Sequence, residues 1–379
     1  MGLIRLFLAC VVMIGHLRTS YLVEQKISID RWLDFAEFGL NSGTAVIYFY
    51  IISGFLMSYT ITNNYSTDII GIIGFYRSRF IRIFSLYWPL MIIASMIALP
   101  LSLSPRAVLT GTFLFGSDWY VALASYPDLN FSNFPVFINQ AWTLGAEITF
   151  YAFAPLLVRS LPASICVLLL SAACRLSFVR VYGFDNTWTY TFFPSTVMFF
   201  VIGHFARLIG DRLPTHKLLG VGLFAASMLV SAHGISYQKW DNLNFYISIL
   251  LFALSLPGIF ALTKRSGWMN SVGNLSYPMY LTHKMTLFGI YGLFPFIGTA
   301  IARSDKLFVP GFVSVLSVLA ICIAISVVAH IVIEQPVAKS MWRLLRRRPH
   351  IAATAPAQAR ANPEKYSPPP NSRVKHEIR

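Results

Sequence analysis

The 379 residues of this chain are 56% hydrophobic and 12% charged, with a mean hydropathy of +0.62. A soluble domain carries about twice that charged share, so the composition excludes a soluble globular protein and implies an integral membrane protein. The formal charge of +15 lies mostly in loops and the tail. It is assigned to orientation and anionic headgroups, since no zinc-finger, helix-turn-helix or aromatic RNA-binding pattern points to nucleic acid.

The apolar runs are about twenty residues long and lack period-two alternation, which predicts an all-α polytopic bundle of about ten transmembrane helices. The first run, residues 3–22, carries Arg5 and His16. Their eleven-residue separation is about three helical turns, so they share one face, roughly 16 Å apart along the axis. Nothing polar enough to pair with either stands between them, and an arginine at bilayer depth costs several kcal/mol unless it faces protein or water. Read singly, Arg5 is a headgroup anchor and His16 a core histidine; read together, they line a polar shaft. The run has no small-residue cleavage site and is expected to be retained as a span.

Residues 23–42 are acidic, and the pattern around Trp32 predicts a short interfacial helix. The second span, about 44–61, contains Gly54, which allows close helix approach. FYRSRFIRIFSLYW at 75–88 places Arg77, Arg79 and Arg82 at the mouth of the third span. A helix would point Arg77 and Arg79 about 200° apart, whereas an extended segment would aim both at one ligand. The connection 105–140 shows no strong periodicity, and loops that long are often functional. The fourth span starts at Trp142 and contains Glu147. Later spans are expected at about 161–179, 190–209, 217–233, 245–262, 276–296 and 309–333, without internal repeats or broken spans. Residues 1–345 form the membrane domain, and 346–379 read as a basic, low-complexity, disordered tail.

With the N-terminus inside, the inner segments collect Arg77, Arg79, Arg82, Arg159, Arg207, Arg212, Lys217, Lys264, Arg265, Lys339, Arg343 and residues 346–348, so both termini are expected to be cytoplasmic. Counting residues from the outer ends then puts His16 and Glu147 at a common depth, roughly 8 Å below the outer surface. If their spans are neighbours, the carboxylate would orient the imidazole as a general base. The competing reading of Glu147 is a carboxylate that caps a buried Tyr or Arg. Arg5, Arg77, Arg79 and Arg82 would hold phosphates, against the plainer reading that inner loops are basic anyway. His283 with Tyr280, and Glu334 before Pro336, form a second polar set; Glu334 is expected to pack or make a salt bridge. His204, His233 and His330 read as core or interface histidines. No metal site is expected: there is no HExxH and no His/carboxylate pair at helical spacing within one span. Cys10, Cys166, Cys174 and Cys322 all fall in apolar segments and make no disulfide framework.

These pieces resemble the acyltransferase-3 family of bacterial inner-membrane O-acyltransferases. The resemblance rests on Arg5 and His16 with ten residues between them in the first span, SGFLMSY at 53–59, RSRFIRIFSLYW at 77–88, NQAWTLGAEITFY at 139–151, GNLSYPMYLTH at 273–283 and VIEQP at 332–336. It covers about residues 1–345 in order. Thr143 stands where the family has Ser, and Phe84 or Ser85 where it often has Pro. The tail departs from the family, and no esterase-like domain is appended, so any second transfer step is expected to be absent or supplied in trans. The resemblance implies a multi-pass protein of the bacterial inner membrane. It implies transfer of an acyl group, usually acetyl, from acyl-CoA as co-substrate, with no bound cofactor. The acceptor would be a sugar hydroxyl of an envelope polysaccharide or a lipid-linked oligosaccharide. His16 would be base or covalent acyl carrier, with Glu147 beside it, and Arg5, Arg77, Arg79 and Arg82 would bind the donor. Trp142, Tyr151, Tyr280, His283 and Glu334 would bind substrate or support the site. The lipid bilayer is a partner, and polysaccharide-assembly proteins are candidates. Two further readings use the same residues: a proton-coupled transporter or flippase, and a scaffold of a polysaccharide-assembly complex.

Overall fold

A computed structural model describes residues 1–18, 40–97, 105–124, 138–183, 187–213, 216–234, 242–305 and 312–346. The interfacial helix expected around Trp32, part of the 105–140 connection and the tail after residue 346 lie outside the described residues. Among the described residues there is no strand. The helices are α1 (Gly2–Leu17), α2 (Ser42–Asn64), α3 (Ile69–Ile97), α4 (Pro105–Phe113), α5 (Ser117–Ala124), α6 (Trp142–Arg159), α7 (Leu161–Tyr182) and α8 (Thr187–Tyr190). They continue as α9 (Phe193–Arg212), α10 (Lys217–Gly234), α11 (Leu243–Thr263), α12 (Gly267–Gly273), α13 (Ser276–Phe288), α14 (Pro295–Asp305), α15 (Phe312–Val328) and α16 (Gln335–Arg346).

Six helical segments are long and apolar enough to cross a membrane by length and composition, or up to seven if one bent pair counts as a single span. The first expected span, α1, is apolar but shorter, as is most of α10. The fourth, α6, carries Glu147 and Arg159 among its 18 residues and falls outside that set. The ninth is bent by 94° between Gly267–Leu293 and Pro295–Ile301, which corrects the expectation of unbroken spans. The reason is local. A π-helical turn, Gly289–Leu293, ends α13, and Pro295 disfavours the helical conformation at Phe294.

Polar caps mark three helix starts. The side chains of Asn41, Ser160 and Asn242 accept backbone N–H groups of Thr44, Ala163 and Phe245. Burial then sorts the helices. The most apolar stretch of α2 is 72% buried and that of α7 only 17%, so α2 is the hub and α7 an edge helix that turns Ile165, Leu169, Leu170 and Leu176 outward. Close approach of α2 and α9 depends on Gly54 and Gly203. A Cβ on Gly54 would overlap the Phe200 carbonyl, and one on Gly203 the Ile51 carbonyl.

The 105–140 connection is not irregular where it is described. Its α4 and α5 are held by contacts distant in sequence, which periodicity cannot show. Tyr87 Oη donates to the Gly111 carbonyl, and Trp88 Nε1 donates to Thr112 O at 2.9 Å. Asp118 is buried and accepts the Phe193 N–H at 3.1 Å, tying α5 to the start of α9. Burial pushes its carboxyl up to about 6.

Candidate active site

Residues 69–97 form one helix, so Arg77 and Arg79 diverge as the helical alternative requires. Arg79 and Arg82, three residues apart, face a cavity of about 240 Å³ together with Arg5 of α1. Arg77 does not line it. Its guanidinium lies 5.1 Å from the Trp342 ring and donates to Leu345 O at 3.4 Å, which docks α16 on α3.

Glu147 is the carboxylate of this cavity, and Ser53, Thr143, Tyr151, Tyr277 and Tyr280 are also in its walls. Ser53 Oγ donates to Glu147 Oε1 at 2.6 Å, and Tyr151 Oη donates to the same oxygen. Arg5 lies within electrostatic reach of Glu147, Arg79 and Arg82. The walls thus offer three cations to one anion, and a polyanion would fit that balance.

The expected pairing of Glu147 with His16 is not what the structure shows: the carboxylate is held by Ser53 and Tyr151, and the imidazole by a second histidine. Helix α2 packs against both α1 and α6. The depth count also fails for a local reason. Gln140, just before α6, is buried and donates to Leu281 O at 2.8 Å and to Tyr280 O at 3.2 Å. Helix α6 therefore starts inside the bundle, and Glu147 lines the same cavity as the arginines.

His16 stacks on His283, with ring centroids 5.3 Å apart and planes at 16°. Two glycines set this register: the backbones of Gly2 and Gly273 touch, so α1 and the segment leading into α13 start together. His283 is fully buried. Its Nδ1 lies 2.8 Å from Tyr280 O, and a carbonyl can only accept, so that nitrogen carries the proton. Its Nε2, the acceptor nitrogen when the ring is neutral, is buried without a hydrogen bond. Tyr280 joins the two regions. It lines the cavity, its hydroxyl lies 2.7 Å from Thr143 Oγ1, and its ring centroid is 5.9 Å from that of His283.

The remaining candidates lie elsewhere. Trp142 packs edge-on against Tyr190, outside the cavity walls. Glu334 pairs with His330 at 2.7 Å within the π-helical turn Ala329–Glu334, and Gln335 Nε2 lies 3.1 Å from His330 Nε2. This corrects the expectation of no His/carboxylate pair at helical spacing, since the two are four residues apart. His204 is buried against Ser58, 2.9 Å from its hydroxyl. Ser53 and Gln140 stand inside the quoted motifs without a role assigned to them, and Lys284 lies one residue beyond GNLSYPMYLTH. Lys284 carried the clearest signal, an ammonium within an expected span beside His283.

Residues 1–331 match a family model described as an acyltransferase domain. No curated protein and no solved structure matches the chain.

Proposed function

Because this chain belongs to the acyltransferase-3 family and is an enzyme that transfers acyl groups, we propose that it moves an acyl group, usually acetyl, from cytoplasmic acyl-CoA to a sugar hydroxyl of an envelope polysaccharide or its lipid-linked precursor. One observation carries this reading: the cavity lined by Arg5, Arg79 and Arg82 abuts, across Tyr280, the stacked pair His16 and His283. The arginines are suited to the phosphates of CoA, because guanidinium forks bind such oxygens in pairs. Arg77, turned to Trp342, is assigned instead to holding α16. A sugar hydroxyl is a weak nucleophile, and His16 is the imidazole that would take its proton. Glu147 acts in this reading as the countercharge of the arginines.

In the membrane we propose about ten spans of the bacterial inner membrane with both termini cytoplasmic. The Lys/Arg distribution supports this orientation, as does the gathering of Arg5, Arg79 and Arg82 at one cavity. The testing experiment uses the full chain in proteoliposomes with labelled acetyl-CoA and envelope glycan. Label in the glycan, found by mass spectrometry and absent with the His16→Ala chain, is the expected result. Transport or flipping without any acylation would overturn it.

A further inference from the structure

Tyr277, Tyr280 and Lys284 stand at i, i+3 and i+7 on α13 and its one stripe, and the first two line the arginine cavity. The stripe therefore leads from the cavity to Lys284. Lys284 follows His283 directly, is half-buried, and lies close enough for its charge to act on both His16 and His283. Among the described residues no carboxylate pairs with it. Glu147 is committed to Ser53 and Tyr151, and Glu334 to His330. An ammonium within a span costs several kcal/mol unless an anion compensates it. A cation with no carboxylate partner among the described residues is suited to an anion that forms only during the reaction.

We propose, resting on the acyl-transfer reading above, that Lys284 is the cation that stabilises the oxyanion formed when the thioester is attacked beside His16. The acceptor oxygen bonds to the thioester carbon as its proton passes to His16. The carbonyl electron pair moves onto its oxygen, which the Lys284 ammonium faces. Collapse re-forms the carbonyl and breaks the C–S bond, and the departing thiolate takes the proton back from His16. The products are an ester and the free CoA thiol.

The test is CoA thiol release from acetyl-CoA in the presence of envelope glycan by the full chain in proteoliposomes, with insertion checked for each variant. Lys284→Gln should lower kcat by at least about 10²-fold, with KM for acetyl-CoA within about threefold of the wild type. Lys284→Arg keeps the charge and should recover at least a tenth of the wild-type kcat, which a purely steric role would not predict. An unchanged kcat in Lys284→Gln, or a loss confined to KM, overturns the assignment and leaves acyl transfer standing. Absence of thiol release in the wild type overturns the acyl-transfer reading and this assignment with it.

Discussion

His16 lies face to face with His283, at 5.3 Å between ring centroids. Stacking engages a face of the His16 ring, not the nitrogens on its edge. His16→Ala should insert normally and lose at least about 10²-fold in acyl transfer. His16→Gln keeps bulk and hydrogen bonding but cannot take the proton, so it should fail as badly. Incubation with labelled acyl-CoA and no acceptor should leave label on His16 only if it is a covalent carrier. Near-normal acylation by well-folded His16→Ala would return His16 to the core histidines.

Arg79 and Arg77 are two residues apart and should behave differently. Arg79→Ala and Arg82→Ala each remove a charge-assisted contact worth about 1.5–3 kcal/mol, so acyl-CoA affinity should fall at least about tenfold, with only partial rescue by Lys. Arg77→Ala should leave that affinity within about twofold. It should instead free the Gln335–Arg346 helix for proteolysis, through loss of the Trp342 contact. Equal effects of Arg77 and Arg79 on donor binding would contradict the division.

Glu147→Gln leaves Ser53 and Tyr151 a partner oxygen but removes the anion among three cavity arginines. Insertion should survive, and thermal stability in detergent should fall by about 1–3 kcal/mol. Added CoA should restore most of it, because its phosphates replace the lost countercharge. A loss of stability that CoA does not relieve would separate Glu147 from the arginines.

Asp118 lies outside the spans, and burial raises its carboxyl from 3.8 to about 6. The fold therefore holds this proton more tightly than the unfolded chain does. Its effect on stability is absent below about pH 4 and grows unfavourable as pH rises through about 6. Asp118→Asn keeps an acceptor for the Phe193 N–H and does not titrate. Melting temperatures of the two proteins should converge toward pH 4, with the variant gaining on the wild type up to pH 7. Parallel curves would mean that Asp118 ionises as it does in solvent.

The sequence by itself determined the membrane class, the helical content and the polar residues that an apolar setting must justify. It also marked Gly54 as a point of helix contact, and the overlap a Cβ there would make with the Phe200 carbonyl bears that out. Such properties are local: an apolar run, a cap or a missing Cβ acts wherever the segment packs. Partner choice was decided by the tertiary structure alone. Glu147 meets Ser53 and Tyr151 rather than His16 because Gln140 anchors the start of α6 inside the bundle, which shifts the register that residue counting assumes. Arg77 leaves the other arginines because helix geometry turns it toward Trp342, a residue of a segment more than 260 positions away. Depth and neighbour identity depend on how whole helices slide and rotate against one another, and contacts between distant segments set that.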